Sequence, residues 1–132
     1  MTHIMRIDEM SDGIKKSEIT FEELISMTDN FTVRCSLRSR YDFVIKRDFL
    51  FDIVRKNGNT IDATIEEMDS IEGETKKMGV RYKKDVKMTF DETEMSISAN
   101  VVLADILKDF DNEFFRKNEL ISIDIIVGDD VF

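Results

Sequence analysis

The sequence predicts an α+β fold: a mostly antiparallel sheet of about five or six strands, one long helix of the C-terminal half across a face, and a short N-terminal helix. Three observations carry that prediction. Several short runs alternate apolar and polar residues, the period of a half-buried strand. One run, Leu103, Ile106, Leu107, Phe110 and Phe114, repeats at helical spacing. Turn-forming residues separate these runs, and neither a linker nor an internal repeat divides them.

Residues 1–18 show no clear period and read as a loosely attached lead-in to a single domain spanning 1–132. Thr20 and Glu23 have the spacing of a capping box, with Ile19 and Leu24 at the flanking staple positions. A short helix therefore starts at Thr20 and is expected to end near Asn30. Phe31, Val33, Cys35 and Leu37 then face one way while Thr32, Arg34 and Ser36 face the other, as on a strand. Residues 41–56 fit two elements. Leu50, Ile53 and Val54 suit a helix closed by Gly58, whereas Phe49, Phe51 and Ile53 suit a strand. The turn signal Lys56-Asn57-Gly58-Asn59, followed by alternating Ile61, Ala63 and Ile65, favours a hairpin.

Residues 69–79 are polar, contain Gly73 and Gly79, and read as a flexible loop. Val86, Met88 and Phe90 alternate, Asp91 to Glu94 turns the chain, and Met95, Ile97 and Ala99 alternate again, which predicts a second hairpin. Asn100 is placed to cap the long helix, Arg116 and Lys117 lie in its last turn where the dipole favours cations, and Asn118 ends it. Ile121, Ile123, Ile125 and Val127 form the clearest strand, and Ile126 on its other face points to a central position. Gly128 ends that strand.

Composition narrows the function classes. A chain of 132 residues can bury enough surface to fold without disulfides or metals. Hydrophobic residues make up 42%, enough for a core, and charged residues 36%, well above the usual quarter. The net charge of −9 disfavours attraction to nucleic acid or anionic lipid and favours a basic protein partner. One cysteine allows no internal disulfide, and with one histidine it excludes a zinc site built from those ligands. The first ten residues lack the apolar run of a signal peptide, and no stretch approaches the roughly 20 apolar residues of a membrane span. These features point to the cytoplasm, or to a virus particle assembled there. The absence of proline and the abundance of Ile, Lys, Asp, Glu and Met fit the AT-rich genomes of many phages and low-GC bacteria.

The charge is sorted along the chain. Arg34 to Lys56 holds seven cations against three carboxylates, and Lys76 to Lys87 holds six against one. Between them lie Asp62, Glu66, Glu67, Asp69, Glu72 and Glu74 with no cation. Met88 to Glu113 carries seven carboxylates against Lys108 alone. Two arrangements are compatible with this order. Acidic and basic strands can pair side by side across the sheet. Alternatively, the blocks can form opposite poles that steer a partner or stack copies head to tail.

Few residues suggest chemistry. His3 lies in the lead-in with no nucleophile to serve, and Cys35 shares its strand face with Phe31, Val33 and Leu37, as a core thiol does. Asp85-Val86-Lys87 matches the Asp-x-Lys element of metal-dependent nucleases, with Asp62 or Asp69 as the upstream acid. Asp124 sits among isoleucines on its strand, and the chain closes on an acidic tail tipped by Phe132. Arg40, Tyr41 and Phe43 are the one place where aromatics interleave with cations. Nothing implies a cofactor, and no glycine-rich phosphate loop is present.

The expected function is therefore a non-enzymatic acidic interaction module, inhibitor- or immunity-like, that engages a basic protein partner through Asp62, Glu66, Glu67, Asp69, Glu72 and Glu74. The alternatives are a structural subunit of a larger assembly such as a phage tail or capsid, able to self-associate, and a small metal-dependent nuclease.

Overall fold

In the computed structural model, residues 19–69 and 79–132 are described. They form a six-stranded antiparallel sheet with helices packed on one face. The elements are α1 (Phe21–Met27), β1 (Asn30–Arg38), β2 (Val44–Asn57), β3 (Thr60–Asp69), β4 (Val80–Thr89), α2 (Glu92–Met95), α3 (Ala99–Phe110), α4 (Asn112–Lys117), β5 (Glu119–Val127) and β6 (Asp130–Val131). The spatial order is β4-β3-β2-β1-β5-β6, and every neighbouring pair is antiparallel. The α+β class and the antiparallel sheet match the sequence pattern.

The strands form because alternation gives each one a dry face. Phe31, Val33, Cys35 and Leu37 of β1 join Phe49, Phe51 and Ile53 of β2, Ile61, Ala63 and Ile65 of β3, and Ile123 and Ile125 of β5 in one buried cluster. The helices supply the other wall, with Phe21, Leu24 and Ile25 from α1 and Val101, Val102, Leu103, Ala104 and Leu107 from α3. Phe31 stacks on Phe51 with ring centroids 4.9 Å apart. Of the ambiguous stretch 41–56, residues 44–56 are thus strand and 41–43 form a turn, and the Asn57-Gly58 signal does mark a hairpin. The two loop residues are Gly58 and Asn59, flanked by the pair Asn57 and Thr60. Gly58 has φ 62°, the positive value that a type II′ turn needs at its first central position. Gly128, φ 59°, does the same between β5 and β6.

At α1 the capping box is formed as expected. Thr20 Oγ1 accepts from the Glu23 N–H at 3.1 Å, and Glu23 Oε1 accepts from the Thr20 N–H at 3.0 Å. The helix ends at Met27, and Lys56 reaches from β2 to donate to the Ile25 carbonyl at 2.7 Å. A cation from the sheet thereby meets the negative end of a helix that has none of its own in its last turn.

Three expectations need correction. The second hairpin is absent. Asp91 and Glu94 close a capping box on the one-turn helix α2, and Met95 and Ala99 go into the core rather than onto a strand. Apolar residues two apart there reflect a helical turn followed by a chain reversal, not a period of two. The single long C-terminal-half helix is two shorter ones. Its cap is Ser98 rather than Asn100, which lies inside α3 and donates from Nδ2 to the Ile123 carbonyl at 3.4 Å. The helix breaks at Asp111 (φ −134°, ψ 72°), whose side chain accepts from the Phe114 N–H at 3.3 Å and so starts α4. Third, β5 is not central. It pairs with β1 on one side and with only the short β6 on the other. Ile126 is half-buried beside Gly128 and Leu50 in a cleft on the open face. Of the polar segment 69–79, Asp69 ends β3 and Gly79 precedes β4; residues 70–78 lie outside the described residues, as do 1–18.

The α2 capping box separates helix from hairpin experimentally. Asp91→Ala is expected to lower unfolding free energy by about 1 kcal/mol, the usual loss for an N-cap, in urea denaturation. A hairpin turn with an exposed aspartate at that position would lose little.

Candidate functional site

The sheet register decides where the charge blocks go. Strand β3 carries the acidic block and lies between β2 and β4, which carry the two basic blocks. Asp62 stands opposite Arg55 on one side and Lys87 on the other. Glu66 meets Lys83 at 3.5 Å. Glu67 meets Arg47 at 3.0 Å, and Asp69 meets Arg47 at 3.3 Å and Arg81 at 3.5 Å. The four described residues of the expected partner-binding set therefore face cations on neighbouring strands. Glu72 and Glu74 lie outside the described residues. Exposed pairs of this kind contribute about 0–1 kcal/mol each.

Glu67 does not lie on the surface. It is 0% exposed and points to the helix side of the sheet, which corrects its expected place in an outward-facing patch. There it joins a buried polar cluster that the linear sequence did not reveal. Glu67 Oε2 accepts from Arg47 Nη1, and the Arg47 guanidinium lies 3.9 Å from the centroid of the Phe114 ring. Asp111, at the α3–α4 break, is also buried. Burial, then a hydrogen bond and repulsion from Asp111, push the Glu67 carboxyl up to about 7, against the opposing pull of Arg47. Oε1 of Glu67 and Nε of Arg47 lack partners of full hydrogen-bond geometry among the described residues. The cluster ties the helix break to β2 and β3. The only sequence signal for it was Arg47 and Glu67 at apolar positions of alternating strands.

The open face of the sheet is mixed in charge. Arg34 holds Asp48 through two hydrogen bonds, 2.7 and 2.9 Å, with Asp124 on β5 directly opposite. Asp124 is exposed. Asp85 accepts from Thr64 Oγ1 at 2.9 Å, and Lys87 lies across from Asp62. No group of three or more His, Cys, Asp or Glu side chains among the described residues is placed to hold a metal ion, so the Asp85–Lys87 pair gains no support as a nuclease centre. Cys35 is buried and its thiol is pushed up by burial, as in a core thiol. His3 lies outside the described residues.

The helix layer differs. Within α1, α2 and α3 there are six carboxylates, Glu22, Glu23, Glu92, Glu94, Asp105 and Asp109, against Lys108 alone. Glu22, Glu23, Glu92 and Asp109 are exposed, while Glu94 is buried in its capping box. Helix α1 adjoins both α2 and α3. Exposed carboxylates thus lie on the outside of α1, α2 and α3, whereas α4 carries Glu113 against Arg116 and Lys117.

A groove of about 390 Å³ runs between α3 and β4. At the far end of the sheet the β1–β2 hairpin tip displays Tyr41 and Phe43. Phe132 packs back only partly; its N–H donates to the Ile125 carbonyl at 2.8 Å and its residue is 40% exposed. No helix among the described residues is long and apolar enough to cross a membrane. Comparisons with protein-family models, curated proteins and solved structures found no match.

The buried cluster has two measurable consequences. A carboxyl held above its unfolded value stabilises the fold below the unfolded value and loses that contribution as pH rises through about 7. Thermal stability is expected to fall between about pH 5 and pH 8 on this account, and Glu67→Gln should flatten that slope. Removing the cation strands the anion, so Arg47→Met is expected to cost about 3 kcal/mol at pH 8. The loss should be smaller at pH 6, where Glu67 without its cation holds a proton. Both are read by urea unfolding at the two pH values.

Proposed function

We propose that the protein is a non-enzymatic interaction module, inhibitor- or immunity-like, whose acidic helical layer engages a basic protein partner. The observation that carries this reading is the set of exposed carboxylates Glu22, Glu23, Glu92 and Asp109 on α1, α2 and α3, while the carboxylates of β3 face cations within the sheet. Charge left uncompensated at a surface steers a partner of opposite sign and sets a salt-sensitive association rate. The half-buried Asp62, Glu66 and Asp69, with Glu72 and Glu74 beyond them in sequence, remain the second candidate for the contact. The core location of Cys35 and the dispersed carboxylates of the open face support a role without catalysis or cofactor. The reading places the protein in the cytoplasm or in a particle assembled there.

A second reading, a structural subunit of a larger assembly, is favoured by the apolar, aromatic hairpin tip at the end of the sheet away from the acidic helix termini.

Binding of a lysine-rich peptide, followed by fluorescence anisotropy at low and physiological salt, tests the first reading. Glu22→Lys/Glu92→Lys/Asp109→Lys is expected to weaken binding about tenfold or more. Glu66→Lys/Asp69→Lys should change it little. Unchanged affinity in the helix variant, or loss only in the β3 variant, would move the site away from the helices.

A further inference from the structure

Tyr41 and Phe43 are each 68% exposed and Val44 is 60% exposed, at the tip of the β1–β2 hairpin. The tip is well ordered by its own hydrogen bonds. Ser39 Oγ accepts from the Tyr41 N–H at 3.2 Å and the Phe43 N–H at 3.1 Å. The Ser39 N–H donates to the Phe43 carbonyl at 2.8 Å, and the Asp42 N–H to the Ser39 carbonyl at 3.0 Å. Asp42 has φ 66°, a left-handed conformation that few non-glycine residues adopt. The Arg40 guanidinium lies 5.0 Å from the Tyr41 ring, and Arg38 lies 3.8 Å from Asp42. The frame thus presents a cation, a ring, a carboxylate and a second ring in succession. Rigid Tyr and Arg side chains of this kind dominate the energetics of protein interfaces.

The groove between β4 and α3 is complementary to that display. Its floor is apolar, formed by Val86, Met88, Ile106 and Phe110. One wall carries Lys84 from β4, and the other carries Asp105 and Asp109 from α3. Arg40 suits the acidic wall, Asp42 the basic wall, and the two rings the floor. A volume of about 390 Å³ is within the range that takes up side chains or small ligands. The tip cannot reach its own groove. Val44 at the tip and Ile53, which aligns with Val86 through Ala63, are nine residues apart on one strand, about 30 Å.

We propose that the hairpin tip of one copy docks in the β4–α3 groove of a second copy, so that the chain assembles head to tail. The contact joins two different surfaces and is therefore heterologous, which yields rings or open filaments rather than a closed two-fold dimer. This deepens the structural-subunit reading and rests on it. The lysines of β4 disfavour pairing of two β4 edges with each other, and they leave the groove free for a partner of mixed charge.

Sedimentation velocity of the full chain over a concentration series at low salt tests the junction. The expected result is a distribution that grows beyond dimer with concentration and shrinks at high salt. Tyr41→Ala/Phe43→Ala alters only exposed side chains and should stay monomeric. Asp105→Lys/Asp109→Lys, or Asp109→Lys alone if the double variant does not fold, should also stay monomeric. A mixture of tip and groove variants should give a species no larger than dimer, because one intact tip meets one intact groove. A wild-type chain that is monomeric at every concentration, a tip variant that assembles like wild type, or a mixture that stays monomeric would each overturn the proposal. A monomeric wild type that still binds the lysine-rich peptide through Glu22, Glu92 and Asp109 would remove the head-to-tail junction and leave the acidic-layer reading intact.

Discussion

One constraint organises this molecule: a sheet wetted on one face only has a single register. Side chains alternate with a period of two, so slipping any strand by one residue would turn its whole apolar set to water. Phe31, Val33, Cys35 and Leu37 can meet Phe49, Phe51 and Ile53 in only one alignment, and Ile61, Ala63 and Ile65 extend it. The alignment that buries these residues also lays the acidic β3 between the basic β2 and β4. Charge pairing across the sheet is therefore a consequence of apolar packing. The ion pairs are too weak to have chosen the register themselves.

That consequence redistributes the charge seen in the sequence. Blocks of opposite sign in the chain look like poles, but those on adjacent strands largely cancel in space. Much of what remains lies in the block between Met88 and Glu113, which folds mostly into helices on the covered side, with the basic β4 across a groove from α3. Glu67 shows the limit of cancellation. It lies on the dry side of β3, where a lone carboxylate would be strongly destabilising, and its ion pair with the buried Arg47 makes that burial tolerable. The break between α3 and α4 thus sits where the sheet has its most polar interior point.

Much of the architecture was legible in the residues because it rests on local periodicity. The capping box of α1, the alternation of β1 and β3, and the Asn57-Gly58 turn each depend on neighbours a few positions apart. The failures share a cause as well. Met95, Ile97 and Ala99 are spaced like a strand, yet Asp91 and Glu94 cap each other and start a helical turn. Asp111 falls within a continuous apolar stripe, and only its contacts with Phe114 and Glu67 make it a boundary. Ile126 suggested a central strand, but an apolar residue on the open face needs only a cleft. The acidic block of β3 was visible, whereas its partners lie 7 to 25 positions away in sequence and depend on strand order. The residues Arg40, Tyr41 and Phe43 form an aromatic–cation cluster in the sequence, and only the fold shows them to be exposed on an ordered hairpin.

The central claim is that the β3 carboxylates face cations within the sheet while Glu22, Glu92 and Asp109 lie exposed on the helices. Urea unfolding of two charge-reversed chains at low salt tests it most directly. Reversing Glu66 and Asp69 to lysine should destabilise the protein by about 2 kcal/mol or more, because each new cation faces existing ones. Reversing Glu92 and Asp109 should change stability by less than about 1 kcal/mol. Equal losses in the two chains, or a larger loss in the helix variant, would contradict the account.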